Sequence, residues 1–424
     1  MNCAHATVKK LTEDQQAAVD RLYEHDQSLL MLPMGFGKTV VALTAIQELL
    51  AAGALRRVLV VAPLRVCVET WAKEWQAWPH LDEIQVAAGL SADKRRAVIE
   101  SGRVVVINFD ILPWFFETYG KDHGFDGLLV DELTKFKAGG RQFKKLRPRL
   151  GDFSWRAGMT GTVAQEGLEG LFYQVMAVDG GALFGRRKDA WMARYFYPTD
   201  WERRSWAPLP GAEARLAEAM KGLVFQAEYG EADGLPELVE EVVEVELGER
   251  ARAAYADMCT DMVVDVEDGV VEAANLAVKS GKLQQICSGF LYREEGEAEV
   301  LGLEKITALR RVVDQWEGQV LVCYQFLWEL EQLRQLWGPG VGAELRDPGA
   351  LDSWASGELR VLFLHPMSGG HGLNLHTSGC GLVVFCGPIW SRDQTDQVVA
   401  RVRRRGNVCA VVRCVVLVGV DTVE

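Results

Sequence analysis

Eight short runs of apolar, mostly β-branched residues recur along the chain: SLLML (28–32), RVLVVA (57–62), RVVVIN (103–108), GLLVD (127–131), QVLVCY (319–324), RVLFL (360–364), GLVVFC (381–386) and AVVRCVVL (410–417). Each is followed by residues in a helical pattern. Continuous apolar strands suit a parallel sheet covered on both faces, and strands alternating with helices predict an α/β fold. The runs form two groups, 28–160 and 319–417. Residues 187–228, between them, are rich in Trp, Tyr and Arg, and 231–299 are acidic with a largely helical pattern. The pattern predicts two α/β lobes joined by a helical insert. Lobe one is expected over 1–228, with a helical extension from about 165, the acidic insert or linker over 229–300, and lobe two over 301–424.

The chain has 424 residues, enough for two to four domains. Apolar residues at 49% and charged residues at 25% argue against extensive disorder. No charge-free apolar run is long enough to span a membrane, and the first residues lack a secretory core, so a cytoplasmic protein is expected. The nine cysteines are scattered without a CxxC pair, which suggests neither a disulfide framework nor a structural zinc site.

The net charge of −13 at first disfavours a nucleic-acid partner. Its distribution weakens that argument. Residues 231–299 hold 18 Asp and Glu against 5 Lys and Arg, which accounts for the whole excess. Residues 135–156 carry eight Lys and Arg against Asp152 alone. Local patches, not totals, decide phosphate binding, although a charge run is more often a solvated face.

Residues 29–46, LLMLPMGFGKTVVALTAI, read as a strand, a glycine-containing loop, Lys38 and Thr39, then a helix. Gly35 and Gly37, with Met34 and Phe36 between and before them, let backbone N–H groups turn inward onto phosphate oxygens. Lys38 is placed to reach the β- and γ-phosphates of ATP, and the Thr39 hydroxyl to ligate Mg²⁺. The strict pattern would need glycine where Leu32 stands. A second half of such a site is an acid at the end of another buried strand. GLLVDEL (127–133) supplies Asp131 for Mg²⁺ and Glu132 to orient or deprotonate the attacking water.

Further motifs then follow in order: LTEDQQ (11–16), VVAPLRVCVETWAKEW (60–75), INFDIL (107–112), DELT (131–134), MTGT (159–162), VLVCYQF (320–326), SGGHGLNL (368–375) and WSRDQTDQVVARVRRRG (390–406). Together they resemble the Swi/Snf-type ATPases of helicase superfamily 2, most of all the short phage and bacterial members. The likeness runs from Leu11 to about Glu424. It implies two RecA-like P-loop lobes, the second being the helicase C-terminal lobe.

The resemblance also assigns residues. Gln15 matches the family's adenine-reading glutamine, and Pro63 and Trp71 match its CPxxLxxxW segment. Leu133 and Thr134 stand where the family has Ala and His. Thr160, Gly161 and Thr162 match the TGT that couples nucleotide to DNA. Gln397, Arg401, Arg404 and Gly406 fall on QxxxRxxRxGQ, with Asn407 in place of the last Gln. Their 4 and 3 spacing predicts one helix face, from which Arg401 and Arg404 would act as arginine fingers on the γ-phosphate.

The resemblance implies ATP bound between the lobes, closure during hydrolysis, and movement along DNA, double-stranded and without sequence preference. Pro63, Lys135, Lys137, Arg141, Lys144, Gly369, Gly370 and His371 are the expected nucleic-acid contacts. Strand separation or fork remodelling, a non-hydrolysing DNA-binding subunit, and an unrelated P-loop enzyme remain alternatives. A protein partner could supply specialisation. His365, His371 and His376 with Cys380 and Cys386 could suggest a metal, but read more simply as loop and core residues.

Overall fold

The computed structural model describes residues 10–161, 167–201, 205–227, 234–261, 263–266, 269–272, 276–293, 296–367, 375, 376 and 378–424. The chain divides into two compact units, residues 1–230 and 231–424.

Unit one is built on seven strands: β1 Gln27–Met31, β2 Val58–Ala62, β3 Gln85–Val86, β4 Val104–Asn108, β5 Gly127–Asp131, β6 Trp155–Thr160 and β7 Val224–Gln226. Their order is β3-β4-β2-β5-β6-β1-β7, and every pairing is parallel. Alternate residues of each strand enter different cores. Leu59 and Val61 pack on one face, while Val58, Val60 and Ala62 pack on the other. Both faces are thus covered, as the unbroken apolar runs required. Strand β1 lies beyond β6 and β5 from β2, so the sheet has a switch in winding direction where β1 ends. Ligands of open α/β sheets bind in the crevice at such a point.

Unit two has a six-stranded sheet of β8 Glu237–Val245, β9 Val320–Cys323, β10 Gly342–Glu344, β11 Val361–Leu364, β12 Leu382–Phe385 and β13 Val411–Gly419. The order is β8-β13-β12-β9-β11-β10, again all parallel. Two cores cover its faces, around Leu321, Leu362 and Val383 and around Val320, Val322 and Val384. These are the two RecA-like lobes expected from the sequence. All eight apolar runs form strands.

The acidic segment differs from its expected form. Residues 237–245 are not helical but pair with β13 along nine positions as an edge strand of the second sheet. Valines at 239, 242, 243 and 245 favour a strand, and Glu240, Val242 and Glu244 form its exposed side. Glu241 pairs with Arg413 at 2.6 Å and Glu240 with Arg392 at 3.0 Å. Charge of this kind keeps an edge strand from pairing with other chains. The helices that do follow, Glu249–Asp261 and Leu276–Cys287, share a small core through Met258, Leu283 and Ile286.

Strand β6 carries no β-branched run, yet all six of its residues are buried. Arg156 survives there because its guanidinium donates to the carbonyls of Val178, Leu150 and Phe153 at 2.7, 2.9 and 2.6 Å. It is a strut, not part of the exposed basic face that the count over 135–156 suggested. Among the described residues no helix is long and apolar enough to cross a membrane.

Lys305 and Glu424 form an ion pair inside unit two, with side chains 3% and 2% exposed. Glu424 also accepts from the Gly419 N–H at 2.9 Å. Lys305→Met should destabilise the protein by about 3–5 kcal/mol in urea unfolding, because it strands a buried carboxylate. Arg310→Ala, which breaks an exposed pair with Asp314, should cost less than about 1 kcal/mol. Similar midpoints for the two variants would contradict this.

Candidate nucleotide site and basic surface

The loop after β1 ends in helix α2, Lys38–Ala51, whose first turn holds Lys38 and Thr39. Gly35 and Gly37 have φ of 81° and 93°, a left-handed backbone that favours glycine. Gly37 is also the N-cap and contributes no side chain, so the amino end of α2 is left without a side-chain cap. A β-carbon at Gly37 would meet Gln15 Nε2 at 2.6 Å. Lys38 Nζ donates to the carbonyls of Leu32 and Pro33, at 2.6 and 3.2 Å.

Gln15 lies in the first turn of α1, Glu13–Glu24, and is buried. Its carboxamide is engaged within the protein. Nε2 donates to the Phe36 carbonyl at 2.6 Å, and Oε1 accepts from the Thr12 N–H at 3.0 Å, closing a capping box. Gln15 thus ties α1 to the phosphate loop. The T-x-x-Q spacing of LTEDQ carried that signal, and the resemblance to an adenine-reading segment overshadowed it.

Asp131 ends β5 and is buried. Its Oδ2 accepts from Trp71 Nε1 at 2.9 Å. Burial pushes the carboxyl up to about 6, against the Trp71 hydrogen bond and Lys38, which lower it, and with Glu132, which raises it. Trp71 sits on a π-helical turn, Cys67–Trp71, a local widening common at functional sites. The sequence matched Trp71 to a motif without giving it a role.

Glu132 has φ 75° and ψ 70°, a left-handed conformation that costs a non-glycine residue roughly 1–3 kcal/mol. Its N–H donates to the Met159 carbonyl at 2.9 Å. Its Oε1 accepts from the Thr134 hydroxyl and, at 3.4 Å, from the Thr160 hydroxyl. Thr134, where the family has His, is therefore a direct partner of this carboxylate. Gly161 comes close to the loop as well: a β-carbon there would stand 3.9 Å from Lys38 Nζ and 3.7 Å from Met34. Strands β1, β6 and β5 are neighbours in the sheet, so the phosphate loop, Thr160, Asp131 and Glu132 meet at one carboxyl edge.

Lys135, Lys137, Arg141 and Lys144 are exposed on the turn and short helix after Glu132, and Pro63 is half-buried after β2. Arg149 and Asp152 pair at 3.8 Å, and Lys145 pairs with Glu117 at 2.8 Å, so part of the basic run is neutralised locally.

In unit two the helix bearing the last motif is Arg392–Val402. Gln397 is half-buried on it, and Arg401 is 4% exposed. Arg404 does not share that helix. Arg403 caps it with ψ 83°, and Arg404 Nε donates back to the Ala400 carbonyl at 2.9 Å. The spacing argument assumed one more turn of helix than forms. Thr162 and the loop with Gly369, Gly370 and His371 lie outside the described residues.

Unit one thus brings a glycine loop, Lys38, Thr39 and an Asp-Glu pair to one sheet edge, and unit two carries the late arginine motif. Residues 8–165 match the family model described as type III restriction enzyme, res subunit. Protein p41 of Acyrthosiphon pisum secondary endosymbiont phage 1 is 31% identical over 404 residues, covering 92% of this chain and 87% of that protein. The Sulfolobus solfataricus SWI2/SNF2 ATPase core, solved in complex with dsDNA, is similar at 18% identity and TM-score 0.48, covering 98% of this chain and 89% of that one. The chain belongs to one family with the phage protein p41.

His376, close to the last motif, is pushed down to about 4 by burial and then by the Arg404 charge. An unfolded histidine titrates near ~6.5, so between these values the unfolded chain binds the extra proton and stability falls as pH drops. Thermal unfolding from pH 7.5 to 5 should show a shallower decline for His376→Asn than for the parent. Parallel curves would refute the assignment.

Proposed function

We infer that this chain is a DNA-dependent ATPase that uses hydrolysis to move along double-stranded DNA. The observation that carries the reading is the meeting of Lys38, Thr39, Asp131 and Glu132 at one sheet edge, with Glu132 held by Thr134 and Thr160.

The loop residues fit a triphosphate. Two left-handed glycines and an uncapped helix end offer N–H groups to anionic oxygens. Lys38 would exchange its two carbonyl acceptors for phosphate oxygens. Thr39 and Asp131 fit Mg²⁺, since Trp71 takes Oδ2 of Asp131 and leaves Oδ1 for a ligand. Mg²⁺, when bound there, supplies positive charge against the β- and γ-phosphates. Glu132 orients the attacking water and accepts its proton. Thr134 and Thr160 fix the position of that carboxylate, and Thr160, at the end of β6, connects it to the TGT segment. For Gln397, Arg401 and Arg404 we propose a role at the γ-phosphate, the arginines countering its charge. Pro63 and the exposed lysines and arginines after Glu132 contact phosphates of the DNA, which makes binding sequence-tolerant and salt-sensitive.

Steady-state ATP hydrolysis, measured with no nucleic acid, single strands, duplex DNA or RNA, tests this directly. Duplex DNA should stimulate turnover most, and Lys38→Ala and Glu132→Gln should abolish it. Arg404→Ala should lower kcat far more than ATP affinity, by roughly 10³-fold or more for an arginine finger. Stimulation by single strands alone would replace translocation on duplex by strand separation.

Thr134→Val removes one hydroxyl from the Glu132 carboxylate. A hydrogen bond to a charged group is worth ~1.5–3 kcal/mol, so kcat should fall roughly ten- to hundredfold with KM for ATP nearly constant. Thr134→Ser should restore most of the rate. An unchanged kcat in Thr134→Val would remove the hydroxyl from the positioning of Glu132.

A further inference from the structure

Unit one contains a cavity of about 490 Å³ far from the phosphate loop. Arg147, Arg156, Arg186, Asp179, Gly151 and Gly180 are among its lining residues. Arg156 is the second residue of β6, whereas Thr160 ends that strand beside Glu132. At ~3.3 Å per residue they lie roughly 13 Å apart, and the cavity opens at the amino edge of the sheet, opposite the nucleotide site.

Three arginines line this cavity against one acidic residue. Arg156 is 92% buried by its 8% exposure, and its Nε and Nη1 are spent on three backbone carbonyls. Its Nη2 points to the Gly180 wall, where an added β-carbon would stand 3.7 Å away. Arg147 and Arg186 are exposed lining residues, joined by a hydrogen bond from Arg147 Nη2 to the Arg186 carbonyl. Asp179, the acid in the wall, is turned to its own loop. Its two oxygens accept from the N–H groups of Gly181 and Leu183, each at 2.7 Å. Asp26, whose charge also acts on Arg156, is not a lining residue.

We propose that this cavity is a second phosphate-binding site, in which Arg156 Nη2, Arg147 and Arg186 hold a phosphate group. Guanidinium groups stay charged and pair with phosphate oxygens in a planar fork. The exposed Arg141 and Lys144 precede Arg147 in sequence, and this continuity favours a nucleic-acid backbone over a small phosphate compound as the source. The site would then anchor DNA at a face the ATPase motifs do not reach.

The test uses the full chain without nucleotide, so it reads the cavity whether or not the ATPase reading holds. Binding of a fluorescent 30-base-pair duplex is followed by anisotropy across salt concentrations. In Arg147→Gln/Arg186→Gln the slope of log K against log salt should shrink by about two, and Lys221→Gln should leave it unchanged. Circular dichroism checks that the variants fold. A second arm titrates pyrophosphate calorimetrically into Lys38→Ala protein with and without the added double variant, so that any heat from the phosphate loop is common to both. Loss of that heat in the added double variant, with an unchanged duplex slope, supports the cavity with a small phosphate compound as its source. No difference between parent and double variant in either arm overturns the proposal.

Discussion

Parallel pairing in both large sheets governs what the molecule can do. A parallel strand cannot be joined to its neighbour by a tight turn, so each return runs through a crossover that covers a face of the sheet. Both faces become core, and only the two edges where strands begin and end are left for chemistry. All strand carboxyl ends of a unit then point the same way. Leu32, Asp131 and Thr160 are brought together because β1, β5 and β6 end on one edge. The order of strands matters as much as their direction. β6 lies between β1 and β5, so its last residue, Thr160, falls between the phosphate loop and the acid pair.

Most of that framework was legible in the sequence, for a physical reason. A strand buried on both faces has no polar positions, so it stands out as an unbroken apolar run. All eight runs are strands, although the last, 410–417, carries the part-exposed Arg413. Strand β6 escaped because Arg156 and Gly158 interrupt the pattern. The arginine is held by carbonyls of Leu150 and Phe153 just before it and of Val178 after it, and the glycine gives room to Leu133. Strand β8 escaped for the opposite reason. An edge strand exposes one side, and its glutamates made the segment read as a soluble helix.

The site was legible where chemistry fixes residue type, and opaque where it depends on which partner a side chain finds. The structure brings Lys38, Thr39, Asp131 and Glu132 to one sheet edge, where the motif spacing had set them apart from the rest of the chain. The partners of Gln15 could not be read the same way, since a carboxamide serves adenine or a backbone carbonyl equally well. Arg404 shows the limit of periodicity. Spacing of three and four places residues on one face only while the helix lasts, and this helix stops at Val402. The Asp131–Trp71 hydrogen bond spans 60 positions of sequence and leaves no local trace.

The left-handed backbone at Glu132 has a consequence for how this protein can change. Glycine would relax that conformation at no steric cost, so the substitution that best suits the fold at position 132 is one that deletes the carboxylate. Foldability and turnover therefore pull in opposite directions at a single residue. A chain that keeps glutamate there carries strain that only a task for the carboxylate would offset.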